Sequence, residues 1–214
     1  MYCAGGFGKE VMDVAKRFNA EQHRWNDIHF LDDQCETPTR YDAKVFSFDA
    51  ACAFLKQSAG EVIIANGEPA SRRMLREKLE ARDMALGFLI DATTIVADSA
   101  RIESGVVIAP LCSISSDAVI QTNASVNTMS IVGHDVVVGE NTVISSMVNI
   151  GGKSKIGMNT YIGMGALIKD EVKIGDDVII GMGSVVYNDI PDNMIALGNP
   201  ARPMRRNTDK KVFK

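Results

Sequence analysis

Residues 131–156 read IVGHDVVVGENTVISSMVNIGGKSKI, and from Val132 an Ile or Val stands at every sixth place. The phase continues in both directions without an insertion and gives sixteen aliphatic positions: Val96, Ile102, Ile108, Ile114, Ile120, Val126, Val132, Val138, Ile144, Ile150, Ile156, Ile162, Ile168, Ile174, Ile180 and Val186. A six-residue period predicts a β-helix, in which each hexad is a short strand plus a corner and the aliphatic side chain points inward. Glycine often follows the aliphatic residue, and we expect it to tolerate the corner dihedrals. An ordinary antiparallel β domain would have loops of variable length that break the phase.

The hexads also predict which residues lie above one another on the outer surface. If three hexads make one coil, residues eighteen apart are vertical neighbours at about 4.8 Å. The column through the one histidine of the repeats is then Asp98, Ser116, His134, Gly152 and Asp170, and a neighbouring column is Ser146, Met164 and Met182. Two further outward columns are mostly apolar: Leu111, Met129 and Met147, and Val107, Ser125, Val143, Tyr161 and Ile179. Apolar stripes on a surface predict burial against another subunit.

The segment before the repeats alternates between strand and helix patterns. A glycine turn, Gly5-Gly6-Phe7-Gly8, precedes a helical pattern. Two strand patterns end at Asp32-Asp33 and at Asn66-Gly67, and a last strand pattern covers residues 85–90. This order predicts a small parallel α/β, Rossmann-like domain over residues 1–91, with the β-helix and a C-terminal tail over residues 92–214. Ligands of such domains bind at the carboxyl ends of the strands, where these three segments meet. A glycine turn before a helix suits phosphate, although alone it is equally typical of a simple tight turn.

Composition narrows the class of protein. The chain has 214 residues and a net charge of −4, and it contains no Lys/Arg stripe with interleaved aromatic residues, so nucleic acid is not an expected partner. Four cysteines without C-x-x-C spacing indicate reduced thiols in a cytoplasmic protein: Cys3, Cys35, Cys52 and Cys112. No apolar run is long enough to span a membrane and no signal peptide is recognisable, so no membrane partner is expected.

His134 is the candidate general base. Acyl transfer from a thioester to an amine or a hydroxyl needs a base to take the proton of the nucleophile, and histidine suits that role near neutral pH. Asp135 is the available carboxylate to orient it, provided that the two residues lie at a corner, because neighbours on a straight strand point to opposite faces. Without further context, an exposed lone histidine is more often a bystander.

The chain resembles the hexapeptide-repeat sugar acyltransferases. The resemblance is carried by the repeats, the Gly198-Asn199-Pro200-Ala201 segment, the glycine turn and the His134-Asp135 pair. Within that family the chain is similar to sialic acid O-acetyltransferases and to N-acetyltransferases of nucleotide-linked 4-amino-4,6-dideoxy sugars. The resemblance implies a left-handed β-helix, a homotrimer with sites between the β-helices, acetyl-CoA as co-substrate, and His134 as the base. Members usually have a full strand before the glycines, and some carry histidines where Phe7 and Val143 stand here.

The resemblance also implies the binding residues. The nucleotide sugar is expected to contact the glycine turn and the strand ends: Gly5, Gly6, Phe7, Gly8, Asp32, Asp33, Asn66 and Gly67. We expect Gly152 to leave a bare groove for the pantetheine arm, with backbone N–H groups free for the thioester oxygen. Met164 and Met182 are expected to line this groove or to contact another subunit. Acetyl-CoA is thus expected to contact Gly152, Gly163, Met164, Gly181, Met182 and, through its phosphates, Arg202. The basic tail could be a solvated end or a clamp on an anionic cofactor, and its charge alone favours the solvated end.

The leading hypothesis is acetyl-CoA-dependent N-acetylation of a nucleotide-linked 4-amino-4,6-dideoxy sugar for bacterial surface glycan synthesis. The alternative is O-acetylation of a sugar hydroxyl, such as that of sialic acid, which uses the same base chemistry. A zinc carbonic anhydrase on the same fold needs about three histidine ligands, and the repeats contain only His134, so no metal is expected. A non-catalytic scaffold would be expected to lack the base.

Overall fold

In the computed structural model, residues 1–58 and 60–213 are described, and an N-terminal α/β domain is followed by a left-handed parallel β-helix. The N-terminal domain has three helices and three short strands: β1 (Phe30–Leu31), β2 (Thr39–Arg40), β3 (Ala43–Phe46), α1 (Gly6–Gln22), α2 (Phe48–Ser58) and α3 (Pro69–Glu80). Single parallel bridges extend the sheet, because Tyr2 pairs with both Leu31 and Ile64, and Val62 pairs with Leu86. The five parallel segments are therefore ordered 3-2-1-4-5 in chain sequence, which is a Rossmann-like order and confirms the predicted class.

The β-helix is built from two-residue strands at a constant spacing. In chain order its strands are β4 (Leu89–Ile90), β5 (Ile95–Val96), β6 (Arg101–Ile102), β7 (Val107–Ile108), β8 (Ser113–Ile114), β9 (Val119–Ile120), β10 (Ser125–Val126), β11 (Ile131–Val132), β12 (Val137–Val138), β13 (Val143–Ile144), β14 (Asn149–Ile150), β15 (Lys155–Ile156), β16 (Tyr161–Ile162), β17 (Leu167–Ile168), β18 (Lys173–Ile174), β19 (Ile179–Ile180), β20 (Val185–Val186), β21 (Met194–Gly198) and β22 (Ala201–Arg206).

Three flat faces result from the pairing of strands eighteen residues apart. The first face contains β4, β7, β10, β13, β16 and β19, with β21 and β22 added at its end. The second face contains β5, β8, β11, β14, β17 and β20, and the third contains β6, β9, β12, β15 and β18. The first strand, β4, pairs with β7, so the β-helix takes its first strand from the segment that the sequence assigns to the N-terminal domain. The boundary between residues 91 and 92 stays a prediction.

The sixteen aliphatic residues form the core, as predicted. Fourteen of them are at most 4% exposed, and Val96 and Ile102 pack partly buried against the same cluster. Each inward side chain stacks on its equivalent in the next coil, as Val126 does on Ile144. Burying each aliphatic side chain contributes about 1.5–3 kcal/mol, so these sixteen residues are the main stabilising element of the β-helix.

The glycines of the repeats have a different role from the one that we expected. The left-handed corner residue is the fourth of the hexad, as at Asp135 and Asn141 with φ of 59° and 58°, whereas the glycines after the aliphatic residue do not have positive φ. They are required by close stacking of the coils. A Cβ on Gly133 would lie 2.7 Å from the carbonyl oxygen of Ile150, and one on Gly163 would lie 2.6 Å from that of Ile180.

The N-terminal domain packs against the first face. Val11 and Val14 of α1 share an apolar cluster with Leu89 and Val107, and Val107 is 1% exposed. Ser125 and Val143 of the same outward column are also buried within the single chain. The expectation that this column needs a second subunit was therefore wrong for these three residues, because the sequence pattern does not reveal which face the N-terminal domain covers.

The C-terminal tail is not a free solvated end. Strand β21 runs parallel to β19, and β22 pairs antiparallel with β21. The residues after β22 bind to other parts of the chain. The carboxylate of Glu68 accepts the backbone N–H groups of Val212 and Phe213 at 3.0 and 3.1 Å. Over the residues described, no helix combines the length and apolar character needed to cross a membrane.

Candidate active site

His134 and Asp135 form a hydrogen-bonded pair at a corner of the β-helix. They are the two turn residues between β11 and β12, and Asp135 has the left-handed backbone conformation with φ of 59°. The turn brings their side chains to the same side, with 2.8 Å between Nδ1 of His134 and Oδ2 of Asp135. Because the carboxylate holds Nδ1, the Nε2 atom is left to act as a base, and the histidine side chain is 58% exposed to an incoming substrate.

Gly152 lies directly under the imidazole ring. Hydrogen bonds from Lys153 N to His134 O (2.8 Å) and from Glu171 N to Gly152 O (2.9 Å) join His134, Gly152 and Asp170 in one column. A Cβ on Gly152 would lie 2.5 Å from Nε2 of His134, so the ring occupies the space that the missing side chain leaves. The glycine thus leaves room for the Nε2 edge of the imidazole over the next coil.

Among the described residues, the groove around Gly152 is not bare as expected. The histidine ring fills the gap, and the backbone N–H of Gly152 donates to Oδ1 of Asp170 at 2.7 Å. To hold a thioester oxygen, this N–H would have to release Asp170. A contact between Gly152 and acetyl-CoA stays a prediction.

The other residues predicted to contact the cofactor lie elsewhere. Gly163, Met164, Gly181 and Met182 are at the corner between the first and second faces, whereas His134 and Gly152 are at the corner between the second and third faces. Met164 and Met182 are 48% and 82% exposed. Arg202 is exposed on β22 at the end of the first face. The predicted methionine wall is therefore not beside the base within one chain, because a whole face separates the two corners.

The glycine turn lies at the start of α1. Gly5 is the N-cap residue and no side chain caps the helix, so the first N–H groups are open to a ligand. Among the described residues, and apart from their chain neighbours and the backbone of α1 itself, no atom lies within 4 Å of the Cβ positions of Gly5 and Gly6. A Cβ on Gly8 would collide with the carbonyl oxygen of Cys3, so Gly8 serves the close approach of α1 to the first strand. Phe7 packs partly buried in the α1 cluster.

The two acidic residues at the end of β1 already have partners. Oδ2 of Asp32 accepts the N–H of Ala4 at 2.8 Å, which ties the acidic strand end to the glycine turn. Asp33 accepts the N–H of Phe48 at 2.6 Å and pairs with Lys78 at 2.9 Å. The backbone hydrogen bond from Phe48, together with Lys78, lowers the pKa of the Asp33 carboxyl despite its partial burial. Asp33 thus stabilises the start of α2. Oδ1 of Asp32 accepts the N–H of Gln34 at 2.9 Å, and because both oxygens of Asp32 accept backbone N–H groups whereas Asp33 pairs with a lysine, Asp32 is the better placed of the two for a ligand.

The third strand end completes one crevice. Oδ1 of Asn66 accepts the N–H of Glu68 at 2.9 Å, and its amide group faces the sulfur of Cys3 at 3.5 Å. Gly67 follows at the same edge. The glycine turn and Asn66-Gly67 follow the two strands between which the strand order reverses, the usual ligand crevice of such sheets. The sequence-predicted substrate residues are therefore brought together, although their contacts with a substrate stay a prediction.

This crevice and His134 are not adjacent within one chain. The N-terminal domain contacts the first face and the corner between the third and first faces, where Arg76 pairs with Glu140 at 2.6 Å. His134 occupies the corner between the second and third faces. Within residues 1–58 and 60–213, no group of three or more His, Cys, Asp or Glu residues could hold a metal ion.

Comparisons with known proteins agree with this architecture. Residues 1–79 match the model of the PglD N-terminal domain, and residues 153–188 match that of the bacterial transferase hexapeptide with six repeats. A comparison with curated protein sequences gives no match.

Solved structures match over almost the whole chain. The acetyltransferase domain of PglB from Neisseria gonorrhoeae, bound to acetyl coenzyme A, is 30% identical, with 95% of this chain and 97% of that chain covered and a TM-score of 0.88. WeeI from Acinetobacter baumannii is 29% identical, with 95% and 97% covered and a TM-score of 0.85. A histidine-to-asparagine variant of perosamine N-acetyltransferase from Caulobacter crescentus, bound to CoA and GDP-perosamine, is 26% identical, with 95% of both chains covered and a TM-score of 0.86. With its glycine-turn crevice, its unbroken hexads and its corner histidine, the chain belongs to the hexapeptide-repeat sugar acyltransferases.

Proposed function

We propose that this enzyme transfers an acetyl group from acetyl-CoA to the amine of a nucleotide-linked 4-amino-4,6-dideoxy sugar. The observation that carries the proposal is the His134–Asp135 pair, held at an exposed corner with Nε2 directed away from its carboxylate. The similarity to structures bound to acetyl coenzyme A, and to CoA with GDP-perosamine, supports the two substrates. A role in bacterial surface glycan synthesis and a cytoplasmic location are part of the proposal.

The reaction needs one base and a stabilised imidazolium. The amine nitrogen attacks the thioester carbonyl, a C–N bond forms, and Nε2 of His134 takes the proton that the amine loses. The C–S bond then breaks, and the proton passes from the imidazolium to the leaving thiolate of CoA. Asp135 stabilises the imidazolium during this exchange, because its carboxylate lies 2.8 Å from Nδ1.

The acceptor fits the crevice of the N-terminal domain. The uncapped start of α1 offers N–H groups and the positive end of the helix dipole to a diphosphate. Asp32, at the end of β1, is in the position from which an acidic residue binds a ribose in related sheets. A nucleotide-linked sugar therefore fits this crevice better than a free sugar, which would lack both contacts.

The arrangement of the surfaces supports a homotrimer. The outward column of the second face carries Ile95, Ile131 and Leu167, which are 72%, 43% and 44% exposed. The adjoining corner adds Leu111, Met129 and Met147, which are 59%, 54% and 49% exposed. The third face carries charged residues, Arg101, Lys155 and Lys173. The exposed apolar residues of the second face and its corner need cover, and a neighbouring copy seated there would also bring a crevice towards His134.

Light scattering is expected to give a mass about three times the 23.2 kDa of one chain. Ile131→Lys places a charge on the second face and should yield smaller species that lack activity. Val137→Lys, in the next strand of the same coil but on the third face, is the matched control and should leave the mass unchanged. A wild-type protein that stays monomeric at micromolar concentration would contradict the trimer.

The substrate proposal is tested by mass spectrometry of the products formed from acetyl-CoA and a panel of nucleotide-linked amino sugars. We expect an amide-linked acetyl group on a 4-amino-4,6-dideoxy sugar, and calorimetry should show that the free amino sugar binds much more weakly than its nucleotide form. Equal binding of both forms would exclude the crevice as the acceptor site. An acetyl ester instead of an amide would favour the O-acetyltransferase alternative.

A further inference from the structure

The C-terminal tail connects the far end of the β-helix to the rim of the acceptor crevice. After β22, the side chain of Asn207 donates to the carbonyl oxygen of Asp177 at 2.8 Å, and Lys210 pairs with the carboxylate of Asp177 at 2.8 Å. The chain then reaches Glu68, the N-cap residue of α3, whose carboxylate accepts two consecutive backbone N–H groups of the tail. Hydrogen bonds to an ionised acceptor are stronger than neutral ones, so this end of the tail is firmly held.

These anchors place Phe213 beside Gly67. A Cβ on Gly67 would lie 3.7 Å from Cε2 of Phe213, which is ordinary van der Waals contact. The phenyl ring also meets Tyr161 of the first face edge-on, with 5.6 Å between ring centroids and an angle of 83° between ring planes. Phe213 nevertheless stays 56% exposed. An apolar surface built from the tail and the β-helix thus lies next to the end of the fourth strand segment.

The order of the sheet indicates which part of a nucleotide sugar meets this surface. Asp32 ends the segment on one side of the glycine turn, and Asn66-Gly67 follow the segment on the other side. With the diphosphate at the start of α1 and the ribose on the Asp32 side, the sugar extends towards Gly67. The exposed aromatic ring is therefore at the sugar end of the crevice.

We infer that Phe213, backed by Tyr161, forms the wall that recognises the apolar, deoxygenated side of the acceptor sugar. This inference rests on the proposed function and names a specificity-determining residue for it. The C6 methyl group of a 6-deoxy sugar packs against a phenyl ring, whereas a hydroxyl on C6 loses its water without gaining a hydrogen-bond partner. Discrimination of this kind in an apolar pocket is of the order of 10- to 100-fold.

The test compares two nucleotide-linked amino sugars that differ only at C6, one 6-deoxy with a methyl group on C5 and the other 6-hydroxylated with a hydroxymethyl group on C5. For the wild type we expect kcat/KM to favour the 6-deoxy substrate, and Phe213→Ala should lower this preference about 10-fold or more. Glu68→Ala should act in the same direction, because it removes the acceptor that holds the tail. Val212→Ala is the matched control: it truncates the neighbouring side chain, keeps both backbone N–H groups, and should leave the preference unchanged.

Calorimetry tests the same inference without turnover. Phe213→Ala should weaken binding of the nucleotide sugar towards that of the bare nucleoside diphosphate, whose own affinity should not change. An unaltered sugar preference and unaltered nucleotide-sugar affinity in Phe213→Ala would overturn the inference while leaving the proposed function in place. Absence of acetylation of any nucleotide amino sugar by the wild type would instead remove the proposed function itself.

Discussion

Replacement of His134 by alanine is expected to lower kcat by about 10²–10⁴-fold, the usual contribution of a general base. The imidazole is the group placed to take the amine proton, with Nδ1 held by Asp135 and Nε2 in the space that Gly152 leaves free. KM for acetyl-CoA should change little, because the acyl donor does not depend on the proton acceptor for its binding. Steady-state kinetics with the acetylated sugar confirmed by mass spectrometry provide the measurement.

Asp135→Asn tests the contribution of the carboxylate that holds the imidazole. It keeps a hydrogen-bond partner for the imidazole but removes the charge that stabilises the imidazolium, so its loss in kcat should be smaller than that of His134→Ala. His23→Ala, in the N-terminal domain, serves as the control and should retain wild-type turnover. Near-normal turnover of His134→Ala would make His134 a bystander, and the base would then have to be sought in the N-terminal domain.

The fold was predictable from sequence because the repeat is strict. In a coil of three hexads, the place of each aliphatic residue in the repeat determines the face on which it lies. A single insertion would have moved every later residue out of this register. The sequence left open whether His134 and Asp135 lie at a corner, and the structure places them there as the two turn residues between β11 and β12. The left hand of the β-helix did not follow from periodicity, which is the same for both hands, and only the family resemblance supplied it.

The surface was less predictable, because a column of residues does not reveal what covers it. Val107 is apolar on an outward face, as Ile131 is, yet the first is buried under α1 and the second is exposed. Columns at different corners look equivalent in sequence, so the separation of Met164 from His134 required the three-dimensional order of the faces. The fit of the histidine ring over Gly152 depends on side-chain geometry that no spacing contains.

The buried arginine of α3 had no signal in the sequence. On α3, Met74 is 57% exposed whereas Arg72 is fully buried, the reverse of what their side-chain polarity would predict. A charged residue in a charged helix is normally solvated, and it is buried here because it faces backbone carbonyl groups at the junction of the two domains.

Arg72→Met is expected to lower the free energy of unfolding by about 2–5 kcal/mol, since buried carbonyl groups would lose their donors. The guanidinium of Arg72 donates to the carbonyl oxygens of Ile64, Asn66 and Asn123 at 2.8, 3.0 and 2.8 Å, and also to the side-chain oxygen of Asn123 at 3.0 Å. Burial lowers its pKa to about 9, so it still carries its charge at neutral pH. Methionine has a similar length but offers no donor.

Arg73→Met on the same helix is the matched control for this change. Its side chain is 48% exposed and its ion pair with Glu77 spans 3.6 Å between neighbouring turns, so its loss should cost no more than about 0.5 kcal/mol. Equilibrium unfolding in urea, followed by circular dichroism, gives both values. Because Arg72 joins the carbonyl oxygen of Asn66 in the crevice to Asn123 of the β-helix, its replacement should also raise KM for the nucleotide sugar more than KM for acetyl-CoA. Equal stability of the two variants would mean that the buried hydrogen bonds of Arg72 make no net contribution to holding the N-terminal domain on the β-helix.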